Sequence, residues 1–142
     1  MYQKVIVVGR VGKDPELKSF PDGTPVASFN LASSRKWKNA DGSPAEETTW
    51  FRVQATRRTA EVASQYLHKG DAVMVEGHLS PDKATGHPRI WTGSDGTPKA
   101  NYDLTCDRLV LLGSGSSPAS PNTPAGKGDA VEIPGDLADV PF

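Results

Sequence analysis

Apolar positions along this chain recur mostly in steps of two, the period of strands, and only once at helical spacing. Val5 to Val8 is a β-branched run closed by Gly9 and Gly12. The turn Pro21-Asp22-Gly23 leads into a second strand from Thr24 to about Lys38. Lys38 to Glu47 contains Asp41-Gly42-Ser43-Pro44 and reads as an exposed hairpin loop. Thr48 to Thr56 alternates, with Phe51, Val53 and Ala55 on one face and Trp50, Arg52, Gln54 and Thr56 on the other. From about Thr59 to Lys69 the period changes: Val62, Ala63, Tyr66 and Leu67 share a helix face, and Gly70 is expected to cap its C-terminus. Asp71 to Leu79 reads as a strand with Val73, Val75 and Leu79 inward. Ser80 to Pro98, rich in Gly, Pro and Asp, reads as a long hairpin with a mobile tip, and Asn101 to Leu112 as the last strand.

The order is β-β-β-α-β-β. One short helix between the third and fourth of five strands predicts an all-β, five-stranded OB-fold, a partly open Greek-key barrel. The pattern stops at Gly113. Residues Ser114 to Gly128 hold no large apolar side chain and are dominated by Ser, Gly and Pro, so burial cannot offset the entropy of ordering them. Three regions are therefore expected: a domain over 1–113, a disordered linker over 114–135, and a terminal peptide over 136–142.

Charge divides the same way. Residues 1–113 carry 15 Lys and Arg against 13 Asp and Glu, a net of +2, while 114–142 carry one Lys and four acids, a net of −3. A mildly basic domain with an acidic tail hints at a polyanionic partner and an interaction tail. No run approaches the roughly 18 apolar residues of a membrane span. The four apolar residues after Met1-Tyr2-Gln3-Lys4 are too few for a secretory signal, so a cytoplasmic location is expected. The single cysteine, Cys106, cannot form an internal disulfide and reads as a small buried residue.

The tryptophans are placed unusually. Trp50 lies on the polar face of its strand with Arg52, Trp37 follows Arg35-Lys36, and Trp91 follows Arg89 among turn residues. Indoles beside cations suit unpaired nucleic acid, where rings stack on bases and Lys or Arg tracks the phosphates. Strict alternation, however, groups Trp37 with Phe29 and Leu31, so a bulge or strong twist would have to re-aim it. Arg58 and Lys69, flanking the helix, extend the candidate phosphate track.

Catalysis finds little support. His68, His78 and His87 show no metal-ligand spacing with Cys106 or one another. Gly9-Arg-Val-Gly12 is not a phosphate loop. Asp14, Glu16, Asp103 and Asp107 read as solvated or capping carboxylates. No cofactor or metal is expected.

The stretches Val5–Glu16, Val26–Ser33, Thr49–Val53, Ala60–Gly70, Val75-Glu-Gly77 and the final Pro141-Phe142 resemble the bacterial single-stranded DNA-binding protein family. The resemblance implies a homotetramer of OB-folds that wraps and protects single-stranded DNA without marked sequence preference, in replication, recombination and repair, at the nucleoid. It also implies stacking by Trp37, Trp50 and Trp91 and phosphate contacts from Arg52, Arg58 and Lys69. The acidic tail resembles a peptide that docks partner proteins, here through Asp136, Asp139, Val140, Pro141 and Phe142. Thr56 stands where the family usually has a further aromatic, and residues 81–88 look inserted. An OB-type interaction adaptor with weak DNA binding, or an RNA-binding OB module, are the alternatives.

Overall fold

The computed structural model describes residues 1–114, so the linker and the terminal peptide with Asp136, Asp139, Val140, Pro141 and Phe142 lie outside the described residues. The elements are β1 (Val5–Val11), β2 (Glu16–Ser19), β3 (Pro25–Lys38), β4 (Pro44–Thr56), α1 (Arg57–Tyr66), β5 (Ala72–Leu79), β6 (Ile90–Thr92), β7 (Pro98–Ala100) and β8 (Tyr102–Gly113). Strands run β1-β5-β8-β4-β3-β2, and a further β1–β3 pairing closes the first five into a barrel. This is the OB architecture that the alternation predicts, with β2 a short antiparallel addition on β3.

Closure depends on β1 serving two neighbours. Val5 to Arg10 pairs with β5, and Arg10 and Val11 also pair with β3 at Ala32 and Leu31. The strand therefore continues through Gly9 rather than stopping there. A β-carbon at Gly9 would sit 2.3 Å from the Ala32 carbonyl oxygen, so only glycine lets the backbones meet at this corner.

The inward faces fill the barrel: Val7, Val11, Ala27, Phe29, Leu31, Val53, Ala55, Val73, Val75, Leu104 and Cys106 are buried, and Ala60, Ala63 and Leu67 add the helix to this core. Three hairpin tips share one device. Asp22, Asp41 and Asp95 each accept the backbone N–H two residues on, from Thr24, Ser43 and Thr97. Hydrogen bonds from Thr24, Ser43 and Thr97 hold the three carboxyls below their ordinary values.

Several expectations are corrected. The strand over β2 was not anticipated, because its four residues are all exposed and leave no alternation to detect. Half of the arm predicted as loop is strand, with β3 and β4 paired out to Lys38 and Pro44 and a tip of five residues, 39–43. The helix ends at Tyr66, not near Lys69. Leu67 turns extended to reach the core, its N–H still bonded to the Ala63 carbonyl, so Leu67 is the cap. Gly70 instead donates its N–H to the Val11 carbonyl. Tyr66 is exposed rather than on the core face, and Leu79, though in phase with Val73 and Val75, is exposed at the end of β5.

Candidate nucleic-acid interface

The β3–β4 ribbon carries two of the three tryptophans. Trp50 pairs with Ala32 and Trp37 with Ala45, so each indole lies across from a small residue that leaves room for a ring on the neighbouring strand. Trp50 is 55% exposed and Trp37 42%, which places both rings at the surface. Pairing is continuous from Val26–Thr56 to Lys38–Pro44, so no bulge re-aims Trp37. It keeps the inward phase of Phe29 and Leu31 but stands on the arm, where the core no longer covers that face. Trp37 and Trp50 thus occupy opposite faces of the ribbon by register.

Each ring is held by its surroundings. The edge of Trp50 rests on Gly12, where a β-carbon would meet Cζ3 at 2.6 Å. The Arg35 guanidinium carbon stands 5.0 Å from the Trp37 ring centroid, a cation–π contact. Glu47, across from Arg35, accepts its Nε–H at 2.9 Å and lies 2.8 Å from its second terminal nitrogen. Trp37 Nε1–H donates to Asn39 Oδ1 at 3.2 Å. Arg35 is therefore already paired with a carboxylate before any ligand arrives.

Arg52 shares the outer face of β4 with Trp50, opposite Asn30 on β3. It is exposed, and its guanidinium makes no hydrogen bond or ion pair among the described residues. Trp91 lies on the separate β6–β7 hairpin, opposite Lys99, and is 40% exposed. Arg89 precedes this hairpin and is exposed. Arg58 is exposed on the first turn of α1, beside Arg57, whose φ of 56° is a left-handed conformation unusual outside glycine. Lys69 is exposed, and its backbone N–H donates to Asp14 Oδ1 at 2.8 Å.

An open pocket lined by Lys13, Asp14, Pro15, Glu16 and Lys69 adds a cation that sequence reasoning missed. Lys13 directly follows Gly12, on which the Trp50 ring rests; the signal in the sequence was only a Gly-Lys step after the first strand. Glu16 beside it is held below its ordinary carboxyl value mainly by the hydrogen bond from Lys18, with smaller attractions from Lys13 and Arg52. Lys99 is a further basic neighbour of Trp91 by register, whereas Lys36 pairs with Glu46 on the face of the ribbon opposite Trp37. The structure thus brings together Arg35 with Trp37, Arg52 with Trp50, and Lys13 with Lys69. Trp91 remains on its own hairpin, with Arg89 just before it.

Among the described residues no cluster of His, Cys, Asp and Glu could hold a metal ion. Cys106 is buried, and burial pushes its thiol up to about 11. No helix among the described residues is long and apolar enough to cross a membrane. What the surface offers is exposed indoles, guanidinium and ammonium groups, and polar strand faces.

Comparison with known proteins agrees. Residues 2–112 match the single-strand binding protein family. A single-stranded DNA-binding protein of Neisseria meningitidis serogroup B is 36% identical over 110 residues, covering 78% of this chain and 59% of the relative. That of Helicobacter hepaticus is 37% identical over 114 residues, covering 80% and 63%. The matched part thus spans about three fifths of these relatives' length. Among solved structures, a Plasmodium falciparum SSB in complex with ssDNA superposes with a TM-score of 0.64 at 27% identity, over 79% of this chain and 96% of that one. With a family match over most of its length and an OB barrel bearing exposed indoles beside cations, this chain belongs to the single-strand binding protein family.

Proposed function

We propose that this chain binds and protects single-stranded DNA without marked sequence preference, and acts by binding rather than catalysis. The observation that carries the reading is the exposure of Trp37, Trp50 and Trp91, each with a cation on its own strand or its pairing partner. Aromatic rings at the surface of a water-soluble barrel forgo the burial that normally stabilises them. Stacking on unpaired bases restores that burial on binding, at about 1–3 kcal/mol per base. The oligonucleotide seen with the Plasmodium falciparum relative supports the same ligand class.

The chain acts as an oligomer of identical copies, a homotetramer. Support comes from the outer face of β1, β5 and β8, where Ile6, Val8 and Leu112 are exposed beside half-buried Met74 and Val110. A contiguous apolar face of this kind is what a self-associating surface shows. The terminal residues Asp136, Asp139, Val140, Pro141 and Phe142 recruit replication, recombination and repair proteins, with Phe142 as anchor and the carboxylates as long-range attraction. This activity belongs at the nucleoid.

The test is quenching of tryptophan fluorescence during titration with oligo-dT at low salt. Saturable quenching that weakens as salt rises is expected. Absence of quenching, or unaltered binding by the Trp37→Ala/Trp50→Ala/Trp91→Ala variant, rejects the reading.

A further inference from the structure

On the outer face of the barrel, one row crosses three strands: Asn30 on β3, Arg52 on β4 and Asp103 on β8. Arg52 and Asp103 are direct register partners on parallel strands, and their chain neighbours Val53 and Leu104 both point into the core. Their side chains therefore share the outer face, next to Trp50. Sequence reasoning took Asp103 for a solvated or capping carboxylate, and the structure corrects this. Its Oδ1 is shielded from solvent and has no hydrogen-bond partner. A buried carboxylate oxygen without a donor carries an uncompensated desolvation cost. The Asp103 backbone carbonyl accepts the Ser80 N–H at 2.8 Å, which fixes the strand at this point.

We propose that Asp103 is a positioning residue for Arg52, its resting acceptor, which competes with DNA phosphate for the guanidinium. Neighbouring strands lie about 4.8 Å apart, less than the length of an arginine side chain. A change of Arg52 torsions therefore reaches Oδ1 with the backbone unmoved. The alternative acceptor, Glu16, is already hydrogen-bonded to Lys18. Asp103 is the carboxylate left unpaired. The two side chains are not bonded in the structure, and the Arg52 rotamer that joins them holds the guanidinium over β8. Phosphate then displaces the carboxylate, and the exchange lowers affinity and removes one cation from the salt-sensitive count. The inference rests on the outer face of β3 and β4 being the DNA surface.

Affinity for oligo-dT across a salt series, for wild type, Asp103→Asn, Arg52→Gln and the double variant, tests it. Asp103→Asn conserves shape, and Asp103→Ser serves as a second replacement should the amide perturb folding. Either replacement is expected to tighten binding about threefold and to steepen the salt slope by about 0.7, the value of one added phosphate contact on a single strand. In the Arg52→Gln background both effects should vanish. Equal effects in the two backgrounds would mean that Asp103 merely repels phosphate through space, and would overturn the proposal. So would weaker binding, or no change, on replacing Asp103. Should wild type itself fail to bind oligo-dT, the DNA reading is what falls.

Discussion

The indole of Trp50 lies against Gly12, the residue just past the end of β1, so tightly that a β-carbon would stand 2.6 Å from Cζ3 and 3.2 Å from Cη2. Gly12 itself is anchored, its N–H donating to the Asn30 carbonyl at 2.8 Å. The ring is thereby pre-set before a base arrives, which spares the entropy of ordering it on binding. Gly12→Ala is expected to displace the ring and weaken oligo-dT binding roughly tenfold. Fluorescence titration checks this, with thermal melting to show that the barrel is intact.

The Arg35–Glu47 pair predicts an opposite effect. Both side chains are mostly exposed, so losing the pair changes stability by less than about 1 kcal/mol. Glu47→Gln should leave the melting temperature nearly unchanged while releasing Arg35 for phosphate. Tighter binding with a steeper salt slope is the expected result, measured on the same oligo-dT series.

Self-association is testable at one position. Val8 is 54% exposed on the outer face and pairs with Met74 without touching the core. Val8→Asp should lower the mass measured by light scattering and leave circular dichroism unaltered. A variant that keeps the wild-type mass would remove this face from the assembly.

Cys106 sets an alkaline limit. Its thiol is pushed from an ordinary value of 9.0 up to about 11, chiefly by burial and further by Asp107. The folded chain thus holds a proton that the unfolded chain loses first, so stability is complete below about pH 9 and declines toward pH 11. Urea midpoints across that range should fall for wild type and fall less for Cys106→Ala. Native Cys106 should also resist thiol reagents at pH 8 that modify it in urea.

Most of the barrel was legible because burial on one face of a strand imposes a two-residue period. Phe51, Val53 and Ala55 against Trp50, Arg52 and Gln54 announced β4 and its outer face directly. Where no face is buried, as in Glu16 to Ser19, the period had nothing to report. The end of α1 was missed because Leu67 reaches the core by leaving the helix, a choice that local propensity does not encode.

The amino-acid order alone determined the five barrel strands, the single helix and the basic company of the three indoles, since each follows from local periodicity and composition. Tertiary structure decided the rest. Alternation assigns a phase but not a depth, so only the height of the closed barrel put Trp37 in solvent while Phe29 and Leu31, in the same phase, are sealed. Likewise, the seat of Trp50 on Gly12 and the pairing of Arg52 with Asp103 join residues far apart in the chain. Strand register sets such contacts, and register is settled only when the barrel closes.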